Sequence, residues 1–105
     1  MKEKTQTDSQ PVKVIFRKWK SNGEIIALFP EIPHDVNGVY SESYQHIGQH
    51  GAADPQGVVS IYTNPAIPEE YADLKRELEQ IGYVLRVCNR IPCDAYEIRR
   101  KAARV

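Results

Sequence analysis

The stretch "VKVIFRKWKSNGEIIALF", residues 12–29, constrains the fold of this chain more than any other. Its first half is β-branched and aromatic and alternates. Val12, Val14 and Phe16 fall on one side of a strand, Ile15 and Trp19 on the other. Asn22-Gly23 come next, and both residue types tolerate the positive φ of a type I′ turn. "EIIALF" then returns as a second strand with apolar residues on both sides, Ile25, Ala27 and Phe29 opposed by Ile26 and Leu28. Such a strand lies inside a sheet and is covered on at least part of each face. The sequence therefore predicts a β-hairpin at the heart of a sheet.

The rest of the chain has to supply that cover. Residues 30–39 read as a loop, since Pro30 and Pro33 cannot donate to a ladder and Asn37-Gly38 is a second turn signal. "YSESYQHI" (40–47) reads as a strand, the glycine-containing 48–57 as a loop, and "VVSIYT" (58–63) as a short strand. "IPEEYADLKRELEQIGY" has the strongest helical pattern. Pro68 suits a first turn, Glu69 and Glu70 complement the positive end of the dipole, and Gly82 supplies the stop. Tyr71, Leu74, Leu78 and Ile81 form its apolar stripe. A strand over 83–89 and a terminal helix with the stripe Ala95, Ile98, Ala102 and Val105 complete the chain. The order β-β-β-β-α-β-α has its helices late, which argues for an α+β fold with an antiparallel or mixed sheet and two helices on one face.

At 105 residues this is the length of one domain, expected over 12–105 behind a polar, disordered arm at 1–11. The longest apolar run, "IIALF", is far too short to span a membrane, and the N-terminus has no apolar core of a signal peptide. A cytoplasmic protein without a membrane partner is expected, with Cys88 and Cys93 as thiols. The net charge of zero hides a pattern. Residues 1–23 carry six Lys/Arg and two Asp/Glu, residues 24–85 carry two and ten, and residues 86–105 six and two. That distribution suits self-association as readily as a nucleic-acid partner.

Two sets of residues carry possible chemistry. His46 and His50 have a spacing familiar from zinc sites, Cys88 and Cys93 form a C-x4-C, and His34, Asp35 and Asp54 are further possible ligands. Cys88 falls within a strand and Cys93 at a helix start, without the glycine knuckle that presents paired thiolates, so no metal or other cofactor is expected. A disulfide between them requires the Ile91-Pro92 turn to bring them close. As enzyme parts, His50 and Asp54 could be a base and its orienting carboxylate, with Ser41, Ser43, Ser60 or Cys93 as nucleophile. None of these sits in a nucleophile elbow, and there is no phosphate-binding glycine loop. Cys93 at a helix N-terminus would be an activated thiol, were Asp94 not beside it.

The alternative to catalysis is binding. Lys13, Arg17 and Lys18 interleave with aromatic residues as in a strand that stacks bases, and Arg99, Arg100 and Arg104 could line a groove, which would make a nucleic-acid surface. The neutral total and acidic middle weigh against it. Ile15, Trp19, Ile26 and Leu28 share the second face of the hairpin, and two helices on one side leave that face open. A cluster of large apolar residues on an open face marks an interaction site. A protein partner, or a second copy, is the reading these residues favour.

The stretches "ALFPEIP", "SYQHIGQHG" and "EEYADLKRELEQIGY" resemble a set of small bacterial proteins of unassigned function, over about Val14 to Arg100. The resemblance implies a bacterial, cytoplasmic, self-contained domain associated with mobile elements. It assigns no residue a role.

Overall fold

A computed structural model of the chain describes residues 11–45 and 49–103. Most of the expected arm, together with His46, Arg104 and Val105, lies outside the described residues. Strand β1 (Val12–Trp19) pairs antiparallel with β2 (Ile25–Pro33), as the hairpin predicts. The turn differs from expectation. Lys18 stands opposite Ile25, the Trp19 amide donates to the Glu24 carbonyl at 2.8 Å, and the Gly23 amide donates to Trp19 O at 2.9 Å. The loop is thus the four residues 20–23, with Gly23 at φ +76° and the Glu24 amide bonded to Asn22 Oδ1. A register displaced by two residues keeps every side chain on its expected face, because the strand period is two.

The strand order is β4-β3-β2-β1-β5, with β6 also pairing with β1. β3 is Ser41–Gln45, β4 Gln49–Ala53, β5 Thr63–Pro65 and β6 Leu85–Val87. Among the described residues only the β1–β6 ladder is parallel, so the sheet is mixed and the fold α+β. β2 runs further than expected, through Pro30 to Pro33, with its register shifting between Phe29 and Pro33. β4 occupies what reads in the sequence as loop.

The largest departure lies between β4 and β5. Helix α1 (Pro55–Gly57) runs straight into a π-helical segment (Val58–Tyr62), where β-branched composition predicts a strand. Pro55 opens the turn, and the Val58 amide donates to Asp54 O at 3.0 Å. Arg17, 7% exposed, then fixes the far end. Its Nε donates to Thr63 Oγ1 at 2.9 Å, and its Nη2 to the carbonyls of Val59 (2.8 Å) and Thr63 (3.0 Å).

These elements cover both sides of the sheet. On the first face Val14, Phe16, Ala27, Phe29 and Tyr44 pack under Leu74 and Leu78 of helix α2 (Pro68–Ile81). Ile81, expected in that stripe, is 53% exposed. On the second face Ile15, Ile26 and Leu28 pack with Ala53 and Val58, flanked by Trp19, Val59, Cys88 and Ile91. Helix α3 (Ala95–Ala103) buries Ala95 of the predicted stripe, but its second buried residue is Arg99, while Ile98 and Ala102 are exposed. Arg99 donates to the carbonyls of Gly38 (2.7 Å), Pro30 (2.7 Å) and Val39 (3.1 Å), tying the 34–40 loop to the helix.

Candidate functional site

The second face is not the open apolar surface that the sequence suggests. Ile15 is 1% exposed, Ile26 2% and Leu28 0%, because the unforeseen helical segment 55–62 closes over them. What remains open is one end. A cleft of about 740 Å³ lies there between the sheet and that helical segment. Trp19, Ile26, Ser43 and Gln45 line it from β1, β2 and β3, and Gly57, Val58 and Tyr62 line it from the helical side. Trp19 is half-buried, with its indole Nε1 donating to Gln45 Oε1 at 3.2 Å. Tyr62 is 57% exposed. Two of the four residues singled out from the sequence, Trp19 and Ile26, therefore meet at this cleft, while Ile15 and Leu28 are core.

The remaining boundary is β4, with every residue from His50 to Asp54 at the cleft. Strand alternation sends the side chains of His50 and Ala52 to the first face, where Tyr44 lies opposite His50. Their share of the boundary is accordingly main chain. The His50 ring stands edge-on to Tyr44 at 4.7 Å between centroids, and its Nε2 shares a hydrogen bond with Tyr83 OH at 3.1 Å. Tyr44 in turn donates to the Glu77 carboxylate, and Tyr83 stacks on Phe29. Burial, and secondarily the charge of Glu42, raises the Tyr83 hydroxyl pKa above its ordinary value.

This geometry separates the catalytic candidates. The His50 ring is engaged on the first face and Asp54 lines the cleft on the second, so they form no base–orienter pair. The hydroxyls of Ser41 and Ser43 donate to Ala53 O (3.5 Å) and Gly51 O (2.9 Å), and that of Ser60 donates to Gln56 O. Cys88 packs on the second face and Cys93 is exposed; both are free thiols. His34 Nδ1 lies 3.1 Å from Glu42 Oε2. Among the described residues, no three His, Cys, Asp or Glu side chains gather where they could hold a metal.

The candidate nucleic-acid contacts are also largely taken up within the fold. Lys13 pairs with Glu31 at 3.1 Å, which raises its pKa, and Lys18 pairs with Glu70. Arg17 and Arg99 are buried on carbonyls, and burial lowers the pKa of both. Arg100 stacks over Tyr96 at 5.5 Å. Of the residues that line the cleft, sequence reasoning singled out Trp19, Ile26, Ser43, His50 and Asp54 and missed Gln45, Gly51, Ala52, Ala53, Gly57, Val58 and Tyr62. Asp54-Pro55 was the available signal, since proline suits the first turn of a helix.

Set against models of known families, curated proteins and solved structures, the chain matches none of them. Fold and site together define a class only: a small α+β domain with an open, partly aromatic cleft at one end of a sheet face.

Proposed function

We propose that this protein is a non-catalytic binding module that takes a segment of a protein partner in the cleft on its second face. The observation that supports this most is the position of Trp19. It is the only tryptophan in the chain, and it stays half-exposed at an open cleft while its neighbours on the same face are sealed in core. Tryptophan and tyrosine are the side chains most often found at the energetic centre of an interface. The cleft's volume falls within the range of specific ligand sites. The free thiols of Cys88 and Cys93 suit the bacterial cytoplasm as its setting. The nucleic-acid alternative draws less support, since Lys13, Arg17, Lys18 and Arg99 already have partners inside the fold.

Selection of short random peptides on the immobilised chain tests this reading. Binders are expected to shift the fluorescence of Trp19 and to bind the Trp19→Ala and Tyr62→Ala variants at least tenfold more weakly. Tyr62 is largely exposed, so its variant separates contact from folding. Binders indifferent to both substitutions would overturn the assignment of the cleft.

A further inference from the structure

β4 is the last strand on its side of the sheet, and its outer edge pairs with no described residue. Which of its groups face outward follows from Ser43. Its side chain donates to Gly51 O at 2.9 Å, and Ser43 and Gly51 stand opposite each other in the ladder. That carbonyl therefore points toward β3. In an antiparallel ladder hydrogen-bonded pairs alternate with non-bonded ones, so the N–H and C=O of His50 and Ala52 point away from the sheet. These are the two residues whose main chain borders the cleft.

Natural edges are usually guarded by lysine, proline or a bulge. "QHGAA" has none of the three, and its small residues leave the backbone open to approach. We infer that the partner's segment binds as an added strand on the free edge of β4. Its alternate apolar side chains enter the cleft, and a basic residue lies on Asp54. This rests on the reading of the cleft as a binding surface.

Each part of the occupant's description has its own reason. Main-chain pairing at His50 and Ala52 supplies affinity without sequence, and a cleft under alternate positions supplies selectivity. The cleft's apolar lining of Trp19, Ile26 and Val58 asks for apolar side chains. Asp54 follows the strand directly at the cleft and makes no salt bridge among the described residues, so a cation complements it. A second copy fits less well. Its own β4 would bring Gly51 and Ala53 to the middle of that face, both too small to fill the cleft.

The test uses the full chain and peptides selected on it from a random displayed library. Selected sequences are expected to alternate apolar residues and to carry a Lys or Arg. Synthetic versions N-methylated at every second amide in one register should lose at least tenfold in affinity, while the other register is tolerated. Ala52→Pro removes an outward donor without touching the β3 ladder and should cost a similar factor. Asp54→Asn should weaken only the basic peptides. The N-methylated peptides decide the matter even if the proline variant fails to fold.

Peptides that tolerate methylation in both registers overturn the inference. If they still shift Trp19 fluorescence, the cleft binds without the edge and the proposed function survives. If no selected peptide depends on Trp19 or Tyr62, both fall. A parent chain that dimerises in solution through an edge blocked by Ala52→Pro would give that edge to a second copy and also overturn the inference.

Discussion

Arg99 sits where a helix stripe calls for an apolar residue, and three of its donors go to the carbonyls of Pro30, Gly38 and Val39. Removing it strands those carbonyls in a dry interior, where each unsatisfied group costs about 1–3 kcal/mol. Arg99→Met is therefore expected to lower stability by about 3 kcal/mol or more in urea unfolding. Arg100→Ala, one position along and exposed, should change it by less than about 0.5 kcal/mol. Equal effects would mean that the helix is rotated from the position described. Glycine positions separate in the same way. Gly23 and Gly38 both have positive φ, at +76° and +71°. A side chain at Gly23 meets open space, whereas a Cβ at Gly38 would lie 2.9 Å from the Arg100 Cα. Gly23→Ala should cost about 1 kcal/mol from backbone strain alone. Gly38→Ala should cost clearly more, and a Gly38 variant as stable as the Gly23 one would contradict the close approach.

Among the elements, the hairpin and helix α2 were legible because local signals and tertiary demands agree there: alternation, a turn glycine, a proline start and a glycine stop. Segment 58–62 was not. Its β-branched residues favour a strand, but Pro55, the Asp54 carbonyl and the Arg17 clamp together impose helical turns. Tertiary contacts overrode propensity there. β4 was missed for the opposite reason: glycine and alanine carry no strand signal, and the strand exists because β3 offers a ladder. Helix α2 is tied to β1 by Glu70, whose carboxyl is held below its ordinary value of 4.5 by Lys18 and then by the Ile67 amide. A depressed carboxyl stabilises the fold fully above its unfolded value, and that contribution is lost as pH falls through the folded one. Asp35, lowered by the Tyr40 amide, acts in the same direction. Melting temperatures followed from about pH 6 to about pH 3 should therefore fall less steeply for Glu70→Gln than for the parent. Parallel curves would show that the pairing with Lys18 has no thermodynamic weight.

For the molecule as a whole, the two-faced hairpin correctly demanded cover on both sides of the sheet. Helix α2 answers on the first face, and segment 55–62 with Cys88 and Ile91 answers on the second. The cleft is the part left uncovered. It was only half legible, because the sequence marks Trp19 and Ile26 as sharing a face but does not say how far the return of the chain will close it. Ile15→Ala, beneath that closure, should cost about 2–5 kcal/mol as a core truncation. Trp19→Ala should leave a folded protein with a smaller loss, and a reversed order would place the cleft elsewhere. The central claim is that a strand edge paired with no described residue borders this cleft and that the partner docks on it. Residue-resolved amide hydrogen exchange across β4 addresses it most directly. In the free chain the amides of His50 and Ala52 should exchange rapidly while those of Gly51 and Ala53 are protected, and a saturating selected peptide should slow His50 and Ala52 by at least about tenfold. Protection of His50 and Ala52 in the free chain, or exchange there unchanged by a bound peptide, would contradict it.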